Sequence, residues 1–168
     1  MTQSSDHAPF GIDPRGPRFG ATITAVLLII VVLLGLTEPL GATLVDRWLQ
    51  PSALLLTVLV VLFAWGAFAG IQKHPYGLLY RALLAPRLGP PSEREDPAPP
   101  TFAQLVGLIV TGVGLALHLA GVPWALVIAA SAAFIAAFLN AAVAFCLGCQ
   151  LYVLFVRAGI IRRRSAPA

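Results

Sequence analysis

The sequence predicts an all-α polytopic membrane protein. Three observations lead there: a composition too apolar for water, four uncharged runs of membrane-spanning length, and basic residues gathered on one side of those runs. Of 168 residues, 58% are hydrophobic and 11% are charged, against about 25% charged in soluble domains. The formal net charge of +4 is dispersed over segments that flank apolar runs. That placement serves membrane topology, and nucleic acid is not an expected partner.

The elements follow in order. Residues 1–18, with Pro9, Pro14, Pro17, Gly11 and Gly16, show no periodic apolar face and read as a flexible cytoplasmic arm. Residues 19–158 read as a four-helix membrane domain, because an uncharged apolar run of about 20 residues must satisfy its backbone internally as a helix. Its spans are expected at about 19–36, 52–71, 102–120 and 124–156. The first reads as a retained span rather than a cleaved leader, since Leu40-Gly41-Ala42 is a poor cleavage site. Pro51 opens the second span at a position where a proline costs no hydrogen bond. Residues 72–101 form a cytoplasmic loop, amphipathic from Gly77 to Leu84 and Pro-rich from Pro86 to Pro100. The fourth run, as one helix, would be about 50 Å long against a core of about 30 Å. It is expected to be long or to break near Gly148, and residues 159–168 form a basic tail.

Four spans with an inside N-terminus place ten of the 11 basic residues on one face and leave only Arg47 opposite. Lysine and arginine concentrate on the cytoplasmic side, so both termini are expected there. Trp48, beside Asp46 and Arg47, suits an anchor at the outer interface.

Both cysteines lie in Phe145-Cys146-Leu147-Gly148-Cys149-Gln150, one helical turn apart. C-x-x-C spacing permits a disulfide, and its depth puts the pair at the cytoplasmic margin of the fourth span. There a permanent disulfide is not expected, whereas reversible exchange with a thioredoxin-like protein is feasible. Cysteine also packs well between membrane helices, so a structural role stands beside the redox one. On a continuous helix the pair would sit near the C-terminal end, where a thiolate is disfavoured; a new helix starting near Gly148 would reverse that field at Cys149.

The remaining polar residues carry less. His74, in Lys73-His74-Pro75-Tyr76-Gly77 after span two, reads as a cap, with a sharper role as auxiliary proton donor to the dithiol. Two cysteines and His74 do not complete a zinc site, and neither metal nor cofactor is expected. His118 belongs near the outer end of span three with an interfacial hydrogen bond. Asn140 is expected to tie span four to a neighbour, and Gly107, Thr111, Gly112 and Gly114 to admit close helix approach. No carboxylate lies in a span, so an acidic proton or cation path is unsupported.

Asp13-Pro14-Arg15-Gly16-Pro17-Arg18-Phe19, Pro75-Tyr76-Gly77-Leu78-Leu79, Pro86-Arg87-Leu88-Gly89-Pro90-Pro91, Pro100-Thr101-Phe102-Ala103-Gln104, and Phe138-Leu139-Asn140 with Phe145-Cys146-Leu147-Gly148-Cys149 together resemble the domain-of-unknown-function 4395 family of bacterial integral membrane proteins. The resemblance covers nearly the whole chain, and the cysteine motif is its most specific part. It implies a bacterial inner membrane. It also implies, by the family's frequent company with thioredoxin-like and sulfurtransferase proteins, a part in thiol or sulfur metabolism. The leading expectation is therefore a membrane dithiol component, with Cys146 and Cys149 as the redox pair. A scaffold subunit with packing cysteines, and a small-solute carrier whose path four short helices would need homo-oligomerisation to enclose, are the alternatives.

Overall fold

The structure is a computed structural model that describes residues 11–160. In chain order its helices are α1 (Arg15–Thr37), α2 (Leu44–Trp48), α3 (Pro51–Ala69), α4 (Pro75–Leu83), α5 (Ala85–Leu88), α6 (Ala98–Leu119), α7 (Ala125–Val143) and α8 (Leu147–Arg157), with a 3-10 turn at Ile71–Lys73 before α4. Helices α1, α3, α6 and α7 are long and apolar enough to cross a membrane. Phe68, Ile128 and Val143 stay largely exposed on the outside of the bundle, a surface suited to lipid and costly in water.

The four long helices close a ring in which α1 lies against α7 and α3, and α6 lies against α3 and α7. Leu28, Val31, Leu56, Leu59, Leu126 and Ala130 fill its centre and are almost wholly buried. Small residues set the spacing, as van der Waals packing rather than water exclusion drives helix association in lipid. Gly107 receives the Phe63 ring, which would lie 2.6 Å from an added Cβ, and Gly114 meets Ala129 of α7. Thr111, fully buried between them, donates its hydroxyl to the Gly107 carbonyl at 2.7 Å.

Two features depart from the sequence expectation, and the fourth run resolves into one of its two expected forms. The arm reaching to residue 18 is not free over its described part: α1 begins at Arg15, and Ile12 pairs with Glu95 through N–H···O bonds of 2.9 and 3.0 Å. Asp13 explains the docking, because it pairs with Arg15 at 2.9 Å and accepts the Tyr80 hydroxyl of α4 at 2.9 Å. Residues 1–10, and the Arg162–Arg164 cluster of the tail, lie outside the described residues. Helix α6 starts at Ala98, four residues ahead of Phe102, because Pro99 and Pro100 sit in a first turn that needs no N–H donors. Finally, the fourth run is two helices.

Candidate functional site

The fourth run breaks near Gly148, as expected, with the turn made at Ala144 between Val143 and Leu147. Ala144 adopts a left-handed conformation (φ 57°) at the end of α7, and the chain turns through Phe145, whose N–H bonds the Leu139 carbonyl at 3.2 Å. Cys146 is extended and caps α8: its Sγ accepts the Cys149 N–H at 3.2 Å. Gly148 has a different task. An added Cβ there would lie 2.5 Å from Ala103 Cβ, so glycine is what lets the first turn of α8 press against α6. Tyr152 and Phe155 complete that contact, their rings 5.7 and 5.9 Å from Phe102.

Cys146 and Cys149 are joined as a disulfide, with Cα atoms 5.2 Å apart. The restart of the helix replaces the field expected from a continuous one. The sulfurs sit at the N-terminal end of an 11-residue helix, where free N–H groups and the helix dipole favour negative charge on sulfur.

Both cysteines open onto a cavity of about 970 Å3 between α1, α6 and α7, floored by α4 and α8. Its wall along α7 runs from Asn140 through Ala137 and Ala136 to Ala133, and Val110 of α6 lines its depth. Ala133 stands ten residues before Val143, the end of α7, which at 1.5 Å per residue is about 15 Å, half of a bilayer core. Asn140, expected to tie two helices, is half-buried on this wall.

His74 lines the same cavity and is almost fully buried. Its ring is occupied on both sides: Nδ1 accepts the Tyr76 N–H at 3.3 Å, capping α4, and Nε2 lies 3.1 Å from the Leu62 carbonyl of α3. That carbonyl can only accept, so the ring is the neutral Nε2–H tautomer. Burial lowers the His74 pKa from its ordinary 6.5, against the raising effect of the Leu62 carbonyl. His74 and the cysteines thus line one cavity, and the His74 nitrogens are committed to joining α3 and α4.

Tyr76 is the residue that sequence reading passed over. Its ring packs edge-on to His74 at 4.8 Å, and its hydroxyl is buried at the cavity with no hydrogen-bond partner among the described residues. Burial raises its pKa above the usual 10.0, against the lowering effect of the neighbouring Thr24 hydroxyl, so it is neutral. That it lines the same cavity as the cysteines, some 70 positions away, left no mark in the local sequence.

His118 lies at the other end of the bundle, where its Nε2 meets Gln50 Oε1 at 2.9 Å. It borders a separate cavity of about 420 Å3 with Glu38, Ser52 and Trp124. Leu28, Val31, Leu126 and Ala130 lie in the core between the two cavities. Among the described residues, no group of three or more His, Cys, Asp and Glu side chains gathers to hold a metal ion.

Fold and site together define a multi-pass helical membrane protein with a C-x-x-C disulfide at the first turn of a short helix, facing a cavity inside the bundle. A model of the family described as "Domain of unknown function (DUF4395)" matches residues 12–157, and the chain belongs to that family. No curated protein and no solved structure matches it.

Proposed function

We propose that this protein is a dithiol–disulfide exchange component of the bacterial inner membrane, in which Cys146 and Cys149 cycle with a thioredoxin-like or sulfurtransferase partner. One observation carries this reading: the pair occupies the first turn of α8, with Cys146 as its cap, rather than the interior of a helix. A thiolate of the reduced partner attacks Cys146 Sγ of the disulfide and releases the Cys149 thiolate, giving a mixed disulfide. The partner's second thiolate then attacks its own bonded sulfur, closing the partner's disulfide and freeing the Cys146 thiolate, which the Cys149 N–H holds, so two electrons pass from the partner to the pair.

The disulfide end is assigned to the cytoplasm. Of the lysines and arginines in residues 11–160, only Arg47 belongs to the opposite end, and the positive-inside bias supports a cytoplasmic side for both termini. A carrier is less favoured, because Leu28, Val31, Leu56, Leu59 and Ala130 pack the centre of the bundle.

Alkylation trapping in intact cells tests the exchange. The Cys146–Cys149 pair is expected to shift towards the disulfide under oxidant, and Cys149→Ser to accumulate a mixed disulfide through Cys146. A pair that stays fully reduced under oxidant, with no adduct in the variant, overturns the reading.

A further inference from the structure

The dithiol reading accounts for the sulfurs but not for the depth of the space they face. A soluble partner needs only the surface at α8. The cavity instead continues past Asn140 along Ala137, Ala136 and Ala133 to Val110, about 15 Å into the membrane region by the rise of α7. Its deep part is mostly alanine and valine, with Phe63 and the single hydroxyl of Thr24. Its shallow part holds the disulfide, the Asn140 amide and the Tyr76 hydroxyl, which has no well-formed hydrogen bond among the described residues and only Thr24 as a polar neighbour. The lining also includes the charged side chains of Asp13, Arg18, Arg81, Arg94 and Glu95. An occupant matching this gradient has a long apolar portion and a compact head with hydrogen-bond acceptors, placed against a dithiol that gives up electrons in pairs. Its volume is ample for a ring and part of a tail.

Resting on the dithiol reading, we infer that the cavity binds a lipid-soluble quinone, which takes the two electrons of the reduced Cys146–Cys149 pair. The Cys146 thiolate adds to a ring carbon, forming a C–S bond, and one ring oxygen takes a proton. The Cys149 thiolate attacks Cys146 Sγ; the S–S bond forms, the C–S bond breaks, and its electron pair remains on the ring. A second proton on the other ring oxygen completes the hydroquinone. Two thiols and one quinone thus become one disulfide and one hydroquinone. Tyr76 and Asn140 hold the ring oxygens, and the alanine wall of α7 receives the tail.

The test uses the full chain, chemically reduced, in lipid nanodiscs with decylubiquinone as the probe. One hydroquinone per chain is expected to form as both thiols are lost, and Ala136→Phe, which fills the wall, to slow this about tenfold. The same variant is expected to change exchange with a soluble thioredoxin-class disulfide by less than about twofold, since that partner reaches the sulfurs from α8. Should the variant not fold, an azidoquinone photolabel on the wild-type chain decides: labelling of residues 132–140 that excess quinone prevents supports the site. Labelling confined to the lipid-facing surface, or displaced by phospholipid and not by quinone, overturns it. No quinone reduction beside intact thioredoxin exchange overturns the quinone and leaves the dithiol reading standing; loss of both reactions overturns both.

Discussion

At the Trp124 end of the bundle, the α2 connection is drawn onto the ends of the helices by one side chain. Arg47 donates to the carbonyls of Gly41 at 2.8 Å, Ala42 at 3.0 Å and Leu119 at 3.0 Å, closing the C-terminus of α6 with a positive charge. Gly121 (φ 90°) leaves room for that guanidinium, which would lie 2.9 Å from an added Cβ. At the disulfide end, the helices stand apart around a cavity more than twice as large as that beside Trp124. There the closure comes from short amphipathic helices and a docked N-terminal segment, joined through Asp13, Tyr80 and Arg15. The contrast teaches where each end puts its polar groups. One uses its single basic residue to satisfy carbonyls, while the other keeps sulfurs and a tyrosine hydroxyl turned towards space.

Three substitutions break or sharpen this contrast, in falling order of effect. Gly148→Ala drives a methyl group into Ala103 and is expected to cost about 2–3 kcal/mol, lifting the first turn of α8 from α6. Thermal unfolding in detergent measures the loss, and slower disulfide closure should accompany it. Arg47→Ala leaves the three carbonyls without their donor and is expected to cost about 2 kcal/mol. It should leave cysteine exchange intact, because the two ends are separated by the packed core; a change in exchange rate would show that they are coupled.

Asp13→Asn is the mildest, about 0.5 kcal/mol, since the staple lies near solvent. Burial alone would raise the Asp13 pKa, but hydrogen bonds from Arg15 and Tyr80 outweigh it and lower the pKa from 3.8. A carboxyl depressed in the folded state stabilises fully above 3.8 and loses that contribution as pH falls through its lowered value. The wild-type chain is therefore expected to lose protection of the Gly11–Asp13 segment from proteolysis below about pH 4, whereas Asp13→Asn should show no such acid transition. Hydrolysis by an acid-stable protease across that range checks it.

The four long helices were legible because length, apolarity and absence of charge are sufficient physical reasons for a span. His74 as a cap was legible too, since the proline after it ends one helix and starts another. The break in the fourth run was legible near Gly148, but its local cause was not. Alanine favours helix, and nothing local marks Ala144 for a left-handed conformation; glycine drew attention at 148, where it serves close packing instead. The docking of Gly11–Asp13 depends on Tyr80, 67 residues away, and no periodicity records such a pairing. The cavity was likewise hidden, because its wall is assembled from helices far apart in the sequence and nothing in the alanines of α7 announces it.

The account turns on the restarted helix making Cys146 the reactive sulfur. Reducing the full-length protein in nanodiscs, alkylating it briefly with iodoacetamide at neutral pH and counting modified peptides by mass spectrometry tests this directly. Cys146 is expected to react about tenfold faster than Cys149. Equal rates, or faster modification of Cys149, would contradict the assignment.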